Sequence, residues 1–216
     1  MMKPALISLL TIWPFTASAC ETALILTIDV SNSIDVAEYR LQTDGLADAL
    51  RDPEIIEALI SGETAISVVQ WSGADRQAVS VPWRRIRTAL DAEYLANQAR
   101  VMERAFVLSD TAPAEAIYFS LDLFGDVSDC KRKVIDVSGD GTPNSGSDVR
   151  LARIAAERAG VTINGIAIES MGLAITGFYK SALITRNGFV ITARTHREYP
   201  AAIRAKILRE ISKIIG

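Results

Sequence analysis

Apolar residues along this chain follow two rhythms. Short unbroken runs alternate with longer stretches in which apolar side chains recur every third or fourth position. Unbroken runs of strand length fit strands buried on both faces, and the wider spacing fits helices with one buried stripe. The run "ALILTIDV" (23–30) predicts the first strand. In "DVAEYRLQTDGLADAL" (35–50), Val36, Tyr39, Leu41, Leu46 and Leu50 stand near helical spacing, and Asp35 with Glu38 has the form of a capping box. Pro53 can open a short helix, "PEIIEALI" (53–60). "TAISVVQWS" (64–72) and "QAVSVPWRRI" (77–86) predict two strands close enough in sequence to form a hairpin. Pro82 has no N–H for a sheet ladder, so the second of them belongs at an edge.

The alternation continues. A helix is predicted over about 91–104 and another over 114–124, "AEAIYFSLDLF". The strand "KVIDVS" (133–138) precedes the helix "DVRLARIAAERAG" (148–160), which Gly160 stops. The strand "VTINGIAI" (161–168), a short helix "GFYKSALIT" (177–185) and a last strand "NGFVITA" (187–193) follow. The C-terminal stretch 198–215 carries Ile203, Ile207, Ile211 and Ile214 on one helical face, and Arg204, Lys206, Arg209 and Lys213 are expected on its solvated face. Strands alternating with helices predict an α/β fold: a doubly wound, mostly parallel central sheet with one antiparallel edge strand and helices on both faces.

Residues 1–19, "MMKPALISLLTIWPFTASA", stand apart from this pattern. Lys3, an apolar run too short to span a bilayer, and Ala17-Ser18-Ala19 have the order of a signal peptide. The expectation is export to the periplasm or beyond, with residues 20–216 as one domain. Cleavage after Ala19 makes Cys20 the first mature residue. Two fates are then open to it: lipid attachment, which Ala17 disfavours because lipoprotein signals prefer Leu there, or a disulfide with Cys130, the other cysteine. No later segment is apolar for long enough to cross a membrane. The net charge of -3 lacks the basic footprint of nucleic-acid binding.

Ligands of doubly wound sheets bind outside the carboxyl ends of the strands. Three clusters are predicted there. "LTIDVSNSID" (26–35) brings Asp29, Ser31 and Ser33 to the end of the first strand; "SDTAPAEAI" (109–117) places Thr111 in a loop before a helix; "VSGDGTPN" (137–144) presents Asp140 in a glycine-flanked turn. All five offer oxygen, the donor that hard cations such as magnesium take, whereas zinc usually takes His or Cys. Asp136, inside an apolar strand, needs a partner and reads as structural rather than as a ligand. His196, the only histidine, reads as a surface residue at a helix start.

"DVSNS" resembles the D-x-S-x-S motif of von Willebrand factor type A domains, and Thr111 and "SGDG" follow in the order of that family's other metal-site motifs. More narrowly, "LTIDVSNSID", "VVQWSG" and "VIDVSGDGTPN" resemble a bacterial group of secreted type A proteins with no assigned function. The resemblance implies a metal-ion-dependent adhesion site. Ser31, Ser33 and Thr111 would contact Mg2+ or Mn2+ directly or through water, and Asp29 and Asp140 would hold it directly or through ordered water. An Asp or Glu carboxylate of a protein partner would complete the shell. In the family's sheet the two strands ending in these aspartates are parallel neighbours. Cys20 and Cys130 would then meet at the opposite ends, within reach of a disulfide.

This chain departs from the family at Asp110, where glycine is usual, and at Asn32, where glycine is common. Asp110 can add negative charge near the ion or cap the next helix, with Glu115 nearby, and the cap is the expectation. Enzyme signatures are lacking. Ser31 stands where haloacid-dehalogenase-like phosphatases carry a second aspartate, and no G-x-S-x-G elbow, phosphate loop or dinucleotide glycine motif occurs. The reading is a non-enzymatic binding module, with a metal-dependent hydrolase as the alternative.

Overall fold

A computed structural model describes residues 20–169 and 174–211. The leader predicted at 1–19, and Lys213 and Ile214 of the predicted C-terminal helix, lie outside the described residues. The first half of the chain forms β1 (Thr22–Asp29), α1 (Val36–Ala49), α2 (Pro53–Ser61), β2 (Ala65–Trp71), β3 (Gln77–Arg85) and α3 (Ala89–Val101). The second half forms α4 (Pro113–Leu123), β4 (Arg132–Gly139), α5 (Val149–Arg158), β5 (Val161–Ile168), α6 (Ile175–Phe178), β6 (Val190–Ala193) and α7 (Tyr199–Ile211). The six strands make one sheet in the order β3-β2-β1-β4-β5-β6. Every pairing is parallel except β2 with β3, so the Pro82 strand is the antiparallel edge.

Side chains alternate across the sheet and build a core on each face. Leu24, Leu26 and Ile28 of β1 pack with Leu46, Leu50, Ile203 and Ile207. Ala23 and Ile25 face the other way, towards Ile117, Phe124 and Ala152. The capping box is present: Asp35 accepts the Glu38 N–H, and Glu38 accepts the Asp35 N–H, each at 2.8 Å. Cys20 and Cys130 form a disulfide across the amino ends of β1 and β4, with Cα atoms 4.5 Å apart. A bridge closing so long a loop contributes about 4–5 kcal/mol in the chain-entropy model. It also commits the Cys20 sulfur, so lipidation there is incompatible with this structure. Among the described residues no helix is long and apolar enough to cross a membrane.

Several sequence expectations need correction. Val36 is 76% exposed, because the buried stripe of α1 runs through Tyr39, Leu46 and Leu50 and Val36 falls at its margin in the first turn. Lys206 is not on a solvated face but fully buried. It follows Ile203 by three residues, which puts it in the same stripe, and its charge meets Asp136 at 2.7 Å and Glu210 at 2.5 Å. His196 is not at the surface either: the turn before α7 packs against α1 and buries the imidazole. The short helix at 177–185 begins earlier, as α6, and passes into a π-helical turn over Tyr179–Leu183.

Candidate metal centre

The strand order runs one way from β1 through β2 to β3 and the other way from β4 to β6. The crevice of a doubly wound sheet opens where that direction reverses, here between the carboxyl ends of β1 and β4. Asp29 ends β1 and Asp140 follows β4, so the two acids flank the crevice. Asp29 Oδ1 accepts the N–H of Ser31 at 2.7 Å, the side-chain-to-backbone turn that Asp favours. That turn aims Ser31 back at the crevice. The Ser31 and Ser33 hydroxyls are 3.2 Å apart, and Ser33 Oγ donates to Asp140 Oδ1 at 2.5 Å. A side-chain chain thus runs from one strand end to the other. Thr111 closes the group: a Cβ added to Gly141 would sit 3.6 Å from Thr111 Oγ1. The structure therefore brings together all five residues that the sequence singled out.

Three loops are tied to hold this arrangement. Arg104 donates to the carbonyls of Val30 and Ser31, both at 2.9 Å. The Asn32 N–H reaches the Ser109 carbonyl at 3.0 Å. Asn144 Oδ1 accepts the Thr111 N–H at 2.8 Å, while its own N–H donates to the Thr111 carbonyl at 3.0 Å. Asp110 does not cap α4. Ala112 holds the cap position, and the Asp110 side chain is turned out while its carbonyl accepts from Ser72 Oγ at 3.0 Å. Glu115 instead binds Ser147 through both its N–H and its hydroxyl.

The electrostatics favour a cation. Asp29, Ser31 and Asp140 are buried, and Thr111 is nearly so. Burial pushes the Asp29 carboxyl up to about 7; the Ser31 hydrogen bonds oppose this, Asp140 adds to it and Arg104 again opposes it. Asp29 Oδ2 is buried with no hydrogen-bond partner, and Asp29 makes no ion pair among the described residues. Such an oxygen costs free energy unless something positive or a donor reaches it. Two carboxylates and three hydroxyls are hard donors and fit a divalent cation of the magnesium class.

Sequence reasoning missed several neighbours. His196 Nδ1 lies 2.9 Å from Glu38 Oε1 and its Nε2 lies 4.0 Å from Asp140 Oδ2, so the imidazole stands between the α1 capping glutamate and the centre. Its rarity was the one available signal. Tyr179 and Arg104 gave none, because their partners are remote in sequence. Burial, and then the charges of Asp29, Asp136 and Asp140, hold the Tyr179 phenol well above its usual range, so it stays protonated.

Comparison with known proteins agrees with this fold. Proximal thread matrix protein 1 (PTMP1) from the mussel byssus superposes with a TM-score of 0.67 at 18% identity, over 88% of this chain and 48% of that one. A second structure of PTMP1 has a zinc-occupied MIDAS motif (TM-score 0.61, 16% identity, 88% of this chain and 46% of that one). A von Willebrand factor type A structure from Catenulispora acidiphila gives 0.62 at 14% identity, over 88% and 43%. The vWF domain of the type V pili tip protein Mfa5 from Porphyromonas gingivalis gives 0.63 at 11% identity, over 92% and 96%. The chain thus spans about half the length of the first two proteins and nearly all of the Mfa5 domain. No match was found among curated proteins. The fold is that of a von Willebrand factor type A domain, and residues 19–215 match the family model described as "Protein of unknown function (DUF1194)", the family to which this chain belongs.

Proposed function

We propose that this chain is an exported, metal-dependent protein-binding module of the adhesion type, not an enzyme. The observation that carries the reading is the hydrogen-bonded run Asp29–Ser31–Ser33–Asp140 across the crevice, with Asp29 Oδ2 buried and unpartnered beside it. Asp29, Ser31, Ser33, Thr111 and Asp140 would hold Mg2+ or Mn2+. Bound there, the cation supplies an open position for a carboxylate oxygen of the partner, an Asp or Glu side chain. Two carboxylates formally match a divalent charge, but where they hold the ion through ordered water its inner shell keeps only neutral hydroxyls and water, so a partner carboxylate in the open position is electrostatically favoured. The rim is set by the tied loops, so the centre is preorganised rather than assembled on binding.

The zinc-occupied MIDAS of PTMP1 and the pilus-tip setting of Mfa5 support a metal-dependent adhesive role. The Cys20–Cys130 bridge supports export, because disulfides persist in oxidising compartments. Calorimetry tests the metal: the wild type should bind Mg2+ or Mn2+ at one site that Asp29→Ala abolishes. Equal binding by both proteins sinks the assignment. Capture of envelope proteins with Mg2+ against chelator tests the partner, whose exposed acids are then changed singly. Turnover of a hydrolysable substrate, lost in Asp29→Ala, would point to the hydrolase instead.

A further inference from the structure

The side chain of Tyr179 lies across β5 and β4 with its hydroxyl towards the centre. It opens the π-helical turn Tyr179–Leu183, in which the Ile184 N–H donates to the Tyr179 carbonyl at 3.0 Å. π-turns are rare and recur at functional sites. The ring is buried over β5 and β4 at two glycines. A Cβ on Gly165 would come 2.4 Å from Tyr179 Cδ1 and 2.8 Å from Cε1. A Cβ on Gly139 would come 3.0 Å from the Tyr179 hydroxyl and 2.9 Å from Asp29 Oδ2. Both glycines therefore clear a slot for this one side chain, and the slot ends at Asp29. The hydroxyl and Oδ2 lie within about 6 Å of each other, a span that one bridging water covers.

We propose that Tyr179 is a positioning residue of the cation centre: its hydroxyl holds Asp29 Oδ2 through one bridging water, while the Ser31 N–H holds Oδ1. Held at both oxygens, the carboxylate cannot swing, and its remaining lone pairs keep one orientation towards the crevice. The inference rests on the cation reading of the centre and adds a residue that no motif of the sequence marks. Partners that orient a metal's ligands affect metal affinity nearly as strongly as the ligands do. A Tyr179 that merely fills the Gly139–Gly165 slot would need only its ring.

Tyr179→Phe separates the two roles, since it keeps the ring and removes the oxygen. The full chain is titrated calorimetrically with Mn2+ as wild type, Tyr179→Phe and Asp29→Ala, and the melting midpoint of each is recorded in chelator. The expected result is Mn2+ binding weakened about ten-fold or more in Tyr179→Phe, with a midpoint in chelator close to the wild type. The electron paramagnetic resonance spectrum of bound Mn2+ should also broaden, a readout that slot filling alone does not move. Mn2+ affinity within two-fold of the wild type and an unchanged spectrum overturn the role of Tyr179, while loss of binding in Asp29→Ala leaves the centre itself standing. If the wild type takes up no Mn2+, or Asp29→Ala binds it equally, the centre and this inference fall together.

Discussion

Strand β4 serves two buried acidic clusters only four residues apart, and they solve one problem in opposite ways. Around Asp136 the chain supplies its own cation. Lys206 reaches Asp136 at 2.7 Å and Glu210 at 2.5 Å, and Asn164 donates to Glu210 at 2.7 Å. Around Asp29 the described residues supply the Ser31 N–H and neighbouring hydroxyls but no ion pair, and Asp29 Oδ2 has no hydrogen-bond partner. Asp136, Glu210, Asp29 and Asp140 are all buried, so both sets of carboxylates are expensive without positive charge. The first is closed and locks α7 against the sheet. The second opens on the crevice, which under the proposed function admits a cation and a partner's carboxylate. The contrast teaches that burial of acids alone does not mark a functional centre; what marks it is compensation left to something outside the chain.

The largest expected effect comes from opening the closed cluster. Lys206→Met leaves Asp136 and Glu210 without their cation and should cost about 3–5 kcal/mol in urea denaturation. Replacing all three charged residues by apolar ones should recover most of that loss. A small cost for Lys206→Met alone would mean that the acids were never ionised, and the comparison would break. Next in size is the open cluster. Mg2+ at roughly 100 times its Kd should stabilise the wild type by about 2.7 kcal/mol, and should leave Asp29→Ala unchanged. Equal stabilisation of both proteins would place the cation elsewhere.

Acidity sharpens the same contrast. Asp29 is raised to about 7 from its ordinary 3.8, so the native state holds a proton there that the unfolded chain has released between those values. In chelator, stability should therefore fall as pH rises from 3.8 to about 7 and level off above that. A cation binds the ionised carboxylate, so saturating Mg2+ should flatten that fall, and Asp29→Asn should remove the same part of it. Burial also raises Asp136 to about 7 against the pull of Lys206, so a residual slope insensitive to Mg2+ belongs to the closed cluster. Denaturation midpoints at several pH values, with chelator and with Mg2+, check the signs. A wild-type slope that Mg2+ leaves untouched would separate Asp29 from the cation.

The two clusters also differ in how legible they were. Asp29, Ser31, Ser33 and Asp140 sit next to apolar runs, so local pattern placed them at strand ends, as it placed Thr111 in the loop before a helix, and the alternation of elements placed the strands. The edge position of β3 followed from Pro82 in the same way. Lys206 defeated that logic. A lysine in a helix reads as solvated until its partner is known, and Asp136 lies seventy residues away in sequence, roughly. His196 and Tyr179 fail for the same reason, because the tertiary fold is what brings His196 towards Asp140 and Tyr179 beside Gly139. Asp110 misled in the opposite sense: it has a good capping residue type, yet the chain turns before it can cap and leaves Ala112 at that position. Local chemistry is readable where the backbone itself satisfies or positions a group, and unreadable where a distant side chain does.

The smallest effect lies within a single ten-residue stretch, 26–35, which carries an acid of each kind. Asp35 is exposed and satisfied: its Oδ1 accepts the Glu38 N–H at 2.8 Å at the start of α1. Asp29 is buried and incompletely satisfied. Asp35→Ala removes a helix cap and should cost about 1 kcal/mol. Its effect on the centre should be slight, since Ser33 is fixed by Asp140 and the loop is anchored by Arg104 rather than by the cap. Mg2+ affinity within about two-fold of the wild type is therefore expected, a change under 0.5 kcal/mol. Asp29→Ala should show the reverse, with cation binding gone and the chelator-treated protein no less stable, because a desolvated carboxylate has been removed. Urea denaturation and calorimetry on the two variants give the four numbers needed. Should Asp35→Ala lose the cation as Asp29→Ala does, the cap and the centre are one unit, and the division between acids that the backbone satisfies and acids that wait for a cation does not hold in this loop.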